Sequence, residues 1–471
     1  MASTRIRPLR TVAGLAIMAL AAQAAAQTAA PIRWAAVGNS ITQGSGYPAK
    51  LQTLLGPAYQ VENEGVSGTT MLKKSNYSYW TSGRLPQTFA FRPDIVSIKL
   101  GTNDSKPVNW PSHKNEFLGD TRALIDTLAA MPSKPRILPC YPVPVFQKNG
   151  AWAVDGINEP VVKNEIMPFI KQAATEKNLT LVDLHTFLEN RGDLFAGDGV
   201  HPDAGKAGGD SIAAMLYRTY VANVTRIACL GDSIASGAPA ASSYPVRFHQ
   251  LMGRDFYVLN ASAPGAGILK AGPKAYAKGE QLKAVFRFQP NVVLVQLGAW
   301  DSPAALWDAH KDEFAADLGA LIDTLGTLPG KPRIILCTPI PAWKKSDGGE
   351  AFGIRGAVLQ DEIIPKIKQA AQSKGVALLD LWTAYQPYQR LNPDGVVPNA
   401  EGQDTLAHIL YRAYKTAPTA LARPAGGRSS RLSARDGLPF RARGRDALGR
   451  RPGIPAESGS PAKEGVPGPA R

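Results

Sequence analysis

Short apolar runs of strand length alternate with longer helical patterns along most of this chain. "IRWAAV" (Ile32–Val37), "YQVEN" (Tyr59–Asn63), "DIVSIKL" (Asp94–Leu100), "RILPC" (Arg136–Cys140) and "TLVDL" (Thr180–Leu184) are bounded by Gly, Pro or Asn and favour β-branched residues. Runs of this kind read as buried strands. Between the third and fourth, "EFLGDTRALIDTLAAM" places Phe117, Leu118, Leu124, Ile125 and Leu128 on one face at helical spacing. Strand and helix in alternation imply an α/β fold, with a parallel sheet covered by helices on both faces. In such a sheet, functional residues belong in the loops at the carboxyl ends of the strands.

The pattern then repeats at domain scale. "HKNEFLGDTRALIDTL" (His113–Leu128) matches "HKDEFAADLGALIDTL" (His310–Leu325), and "KNEIMPFIKQAA" (Lys163–Ala174) matches "QDEIIPKIKQAA" (Gln360–Ala371). "LYRTY" ending at Tyr220 returns as "LYRAY" ending at Tyr414. A chain of 471 residues exceeds one typical core. The repeat resolves it into two tandem domains, residues 31–221 and 225–415, with almost no linker.

The ends have a different character. Residues 1–27 carry a basic start, an apolar run from Val12 to about Ala22 and small residues at A-x-A spacing near Ala22–Ala26. That is the layout of a secretory signal peptide, which leads to an expectation of export to the periplasm or exterior of a bacterium. The apolar run is short for a membrane span, and no other stretch approaches ~18 apolar residues, so integral membrane association is not expected. Residues 421–471, dominated by Pro, Gly, Ser and Arg, read as a disordered basic tail.

The net charge of +15 is largely a property of those ends, since Leu421–Arg471 alone holds eleven Lys/Arg against four Asp/Glu. The remaining excess is mild and forms no basic face interleaved with aromatics, which argues against nucleic acid. Three cysteines, each within an apolar strand-like run, read as buried small hydrophobes.

Four short segments in the first domain carry candidate chemistry. "VGNSITQG" puts Ser40 directly after the first strand. A serine hydroxyl is a weak nucleophile that needs a base within reach; without one the segment is an ordinary helix-capping turn. "ENEGVSGTT" follows the second strand, and a glycine such as Gly68 lets a backbone N–H approach developing negative charge. "LGTNDSKP" closes the third strand with Asn103, whose amide can donate to an oxyanion without ionising. "GDGVHPD" places Asp198 and His201 three apart on one loop, where the carboxylate can orient the imidazole.

Together, in this order, the four blocks resemble the SGNH (GDSL-type) hydrolases, named for Ser, Gly, Asn and His. The resemblance covers essentially all of the first domain. It implies two tandem three-layer α/β/α, flavodoxin-like domains with parallel sheets and no metal or organic cofactor. It also implies Ser40 as nucleophile, His201 as base and then acid, and Asp198 as its partner. The backbone N–H groups of Ser40 and Gly68 with the Asn103 amide would form the oxyanion hole. Asn39 departs from the usual Gly-Asp-Ser.

The second domain keeps Gly-Asp-Ser at Ser233 and a glycine at Gly265, yet Trp300 stands where Asn103 does and Val397 where His201 does. Valine cannot accept a proton, and loss of the base costs ~10⁴-fold in rate. The second domain is therefore expected to be catalytically inactive, with Trp300 either packing the vacated pocket or stacking on a sugar.

Several first-domain stretches resemble bacterial sialate O-acetylesterase-like and other carbohydrate acetylesterases. The expected substrate is thus an O-acylated carbohydrate or another small ester. Trp80, Trp110 and Trp152 are candidates to hold a sugar ring, or else to pack the loops. The competing readings are a non-enzymatic carbohydrate-binding scaffold and an arylesterase or thioesterase.

Overall fold

Strand β1 (Ile32–Gly38) lies in the middle of the first sheet. It pairs in parallel with β2 (Tyr59–Gly65) on one edge and with β3 (Ile95–Lys99) on the other. Addition of β4 (Arg136–Pro139) gives the order β2-β1-β3-β4. The second sheet, from β5 (Thr225–Gly231), β6 (Phe256–Ser262), β7 (Val292–Gln296), β8 (Arg333–Cys337) and β9 (Ala377–Leu379), repeats it as β6-β5-β7-β8-β9. This computed structural model describes residues 30–152 and 156–416. The expected leader, residues 1–27, and the basic tail, residues 421–471, lie outside the described residues.

Both faces of each sheet are covered, which explains the unbroken apolar runs. Along β1 the side chains alternate: Trp34 and Ala36 join one core, Ala35 and Val37 the other. The Trp34 indole N–H, fully buried, donates to Ser97 Oγ at 3.0 Å, so no polar atom of that ring is stranded. In the helix Phe117–Ala129 the residues at helical spacing, Phe117, Leu124, Ile125 and Leu128, are buried, with Leu118 at the margin. One expected strand is much reduced. "TLVDL" contributes only a single parallel bridge, Cys140 to Val182, whereas the second sheet has a full β9. Pro139, which has no N–H to extend a ladder, stands where the second sheet has Leu336.

The cysteines Cys140, Cys229 and Cys337 are buried and unpaired with one another. Among the described residues no helix is long and apolar enough to cross a membrane.

The two domains meet through a buried polar relay. The helix Gly208–Ala222 of the first domain brings Tyr220 beside Tyr59 of β2, and Tyr59 faces His249 and Tyr257 of the second domain. Tyr220 Oη donates to the Arg254 carbonyl at 2.7 Å, which fixes the direction of the rest. Tyr59 then donates to Tyr220 at 3.0 Å, and His249 Nε2–H serves Tyr59 at 3.0 Å and the Phe256 carbonyl at 3.1 Å. Burial pulls the His249 imidazole down to about 3, so it is neutral in the folded protein.

An imidazole whose folded value lies below its unfolded one contributes stability that is complete above about pH 6.5 and is lost as pH falls toward the folded value. Urea midpoints should therefore drop between pH 7 and pH 4 by the equivalent of a few kcal/mol more in the wild type than in His249→Gln.

Candidate active site

With the order 2-1-3-4, the chain leaves β1 toward one side of the sheet and returns to the other. The carboxyl ends of β1 and β3 thus flank a topological switch point, where α/β sheets open a crevice. Ser40 begins the helix Ser40–Gly44 immediately after β1, and Asn103 lies four residues beyond the end of β3. The turn is tight: a Cβ at Gly38 would collide with the Thr42 hydroxyl. Asn39 is fully buried and caps the helix, its Oδ1 accepting from the Ile41 N–H at 3.1 Å. The same oxygen accepts from Lys99 Nζ at 3.1 Å.

Ser40, His201 and Asp198 come together from opposite ends of the domain. His201 Nε2 is 2.8 Å from Ser40 Oγ, and His201 Nδ1 is 2.6 Å from Asp198 Oδ2. The other carboxylate oxygen of Asp198 accepts the backbone N–H of Val200 at 2.9 Å and of His201 at 3.0 Å. Partial burial pushes the Asp198 carboxyl up, but these backbone bonds and the bond from the imidazole outweigh it and hold the group below its ordinary range. An ionised carboxylate can only accept, so Nδ1 carries the proton and Nε2 is left to accept from the Ser40 hydroxyl. That is the tautomer a general base needs.

The loop after β2 supplies Gly68, with φ of 79°, a conformation that suits glycine. Among the described residues its N–H has no partner, and it remains available as a donor. Asn103 is buried, and one hydrogen of its amide goes to the Thr69 carbonyl at 3.0 Å, leaving the second unassigned. Asp104 holds the two loops together, accepting from the N–H groups of Met71 at 3.0 Å and Leu72 at 2.9 Å. Its burial pushes the carboxyl up to about 7 in spite of those bonds.

Of the three tryptophans read as candidates to hold a sugar, Trp110 must be withdrawn. It is buried, packs edge-on against Phe117 at 5.4 Å and donates to Glu165 Oε2 at 2.8 Å. Trp307 in the second domain makes the same contacts, with Phe314 at 5.3 Å and Glu362 at 2.9 Å. The pair braces two helices in both copies, so core packing claimed a ring that loop composition had placed at the surface. Trp80 and Trp152 are half-buried. Trp80 donates to the Met71 carbonyl, and Lys73 Nζ sits 4.3 Å from its ring centroid; Trp152 packs against the first-domain core.

The second domain repeats the frame with different residues at the positions of Asn103 and His201. Asp394 Oδ1 accepts from Val396 at 2.8 Å and Val397 at 2.7 Å, the bonds that Asp198 makes to Val200 and His201. Asp301 repeats the Asp104 bonds, to Ile268 and Leu269, both at 2.8 Å. Ser233 Oγ, facing no imidazole, instead accepts from the Gly265 N–H at 2.9 Å, the donor equivalent to Gly68. Trp300 stands beside Gly265, tilted against Phe352 at 6.1 Å.

Three features escaped the sequence reading: Lys99 under the nucleophile turn, the Asp104 clamp and the Ser233–Gly265 bond. Asp104 was present in the recurrent "LGxxDS" of both copies, which is a signal that this position serves the frame.

The profile of the GDSL-like Lipase/Acylhydrolase family matches this chain twice, over residues 36–205 and 229–405. An acetylxylan esterase of Xylanibacter ruminicola is 40% identical over 197 residues, covering 36% of this chain and 40% of that protein. The match thus spans well under two thirds of the curated relative. Among solved structures, a carbohydrate acetylesterase from Sinorhizobium meliloti aligns at 16% identity and TM-score 0.33, covering 41% of this chain and 99% of its own. The aryl esterase of M. smegmatis aligns at 18% identity and TM-score 0.35, covering 41% and 99%. Matched twice over most of its length, the chain belongs to the GDSL-like lipase/acylhydrolase family.

Proposed function

We propose that the first domain is a serine esterase that removes O-acetyl groups from carbohydrate through an acyl-enzyme on Ser40. The observation that carries this reading is the continuous bonded series from Asp198 through His201 to the Ser40 hydroxyl. Ser40 Oγ attacks the acyl carbon as His201 takes its proton. The N–H groups of Ser40 and Gly68, with the free hydrogen of the Asn103 amide, receive the oxyanion. Collapse returns the proton to the departing sugar hydroxyl, and His201 then activates water to release acetate. The side chains of His201 and Asp198 are each 32% exposed, so the triad is shallow enough to meet an ester carried on a bulky glycan. The acetylxylan esterase relative supports an acetyl group on a sugar.

The second domain is, in this proposal, an inactive twin. Its hydroxyl rests on the donor that would stabilise an oxyanion, and Val397 offers no base. Export to the periplasm or exterior, read from residues 1–27, fits an enzyme acting on glycans and is part of the same proposal.

Acetate release from p-nitrophenyl acetate and from acetylated xylan should fall by ~10³-fold or more in Ser40→Ala and remain within twofold of wild type in Ser233→Ala. Activity surviving Ser40→Ala would overturn the assignment. In a Ser40→Ala background, Val397→His alone should restore no measurable turnover, because Trp300 still occupies the place of the Asn103 amide; recovered turnover would show the twin lacks only a base.

A further inference from the structure

Lys99 is 1% exposed, and its ammonium meets an amide where a carboxylate would be expected. It closes β3 in register with Gly38, two residues before Ser40. Its Nζ bonds Asn39 Oδ1, the atom that also caps the helix bearing the nucleophile. Among the described residues no carboxylate forms an ion pair with it. Burying an ammonium on such terms is expensive, and with only an amide for a partner burial pulls it down to about 7.

The twin shows that the turn itself does not need this lysine. There Gln296 occupies the equivalent position, and Asp232 caps the helix through Ile234 N–H at 2.9 Å without bonding it. Asp232 is buried with its Oδ2 unpartnered, as are both polar atoms of the Gln296 amide. Burial pushes the Asp232 carboxyl up to about 8, so near neutral pH the twin's pair carries no charge. The two copies therefore hold the same backbone turn over different electrostatics, one able to carry a positive charge and one neutral near pH 7. The charged version accompanies the histidine and the oxyanion asparagine, and the neutral one accompanies their loss.

We propose that Lys99 is a positioning residue for acyl transfer, acting through Asn39, and that the amide at position 39 leaves its positive charge unneutralised beneath the nucleophile turn. Aspartate, the residue the second copy has there as Asp232, would pair with Lys99 and cancel that charge. With asparagine the cap is kept, and below about pH 7, where Lys99 is mostly protonated, a net positive charge lies behind the site where the oxyanion develops. At an effective dielectric of about 20, a buried unit charge so placed changes a rate on the order of tenfold.

The proposal rests on Ser40 being the nucleophile, and the test separates the two. Acetyl-ester kinetics and melting temperatures are measured for wild type, Lys99→Gln, Asn39→Asp and Ser40→Ala. Lys99→Gln takes the twin's residue, and Asn39→Asp keeps the cap, so both can fold. At pH 6, where Lys99 is protonated, each removes one net positive charge by a different route, and kcat should fall about tenfold in both, with KM within twofold. If Lys99 were only a prop, Asn39→Asp would gain an ion pair and match or exceed wild type; that result overturns the proposal. So does an unchanged kcat in Lys99→Gln, or a loss expressed in KM alone. Should Lys99→Gln fail to fold, Asn39→Asp decides by itself. Activity surviving Ser40→Ala would instead remove the site reading on which the proposal stands.

Discussion

The parallel pairing of β1 on both edges is the constraint on which the catalytic face depends. Because β2 and β3 flank the same strand in register, Gly38 lies beside Gly65 on one side and Lys99 on the other. The loops after β2 and β3 each start one strand spacing from the turn after β1, and Asp104 then ties the second to the third. No long-range search is needed to bring the nucleophile turn, the Gly68 amide and the Asn103 amide together. Only the Asp198–His201 loop must arrive from elsewhere, and its conformation is set locally by a carboxylate accepting two backbone N–H groups.

The second domain separates what the frame requires from what the chemistry requires. Strand order, the clamping aspartate, the tryptophan brace and the carboxylate-centred turn are present in both copies. Each satisfies buried polar groups or fills a core, and the cost of leaving such groups unpaired keeps it in place whether or not the site works. His201, Asn103 and Lys99 have no like residue at the equivalent positions of the second copy, which carry Val397, Trp300 and Gln296. None of them is needed to fold the second.

The buried contact between the domains is polar as well as aromatic. A series of hydroxyls ending on a carbonyl has only one consistent direction, so the neutral imidazole of His249 is part of the join. The second domain thereby packs against β2, the strand that leads into the Gly68 loop. The second domain can in this way steady the first.

The sequence by itself determined the alternation of buried strands and helices, the duplication, and the residues that converge at Ser40, because apolar period and short motifs are local properties. It also determined the second domain's lack of a base, since Val397 has no titratable group in any fold. Tertiary structure alone decided that Trp110 belongs to the core, that "TLVDL" shrinks to one bridge, and that Lys99 lies under the nucleophile turn. It also turned Ser233 toward Gly265. These depend on what packs against a residue from distant parts of the chain, and neither hydrophobic pattern nor residue spacing records that.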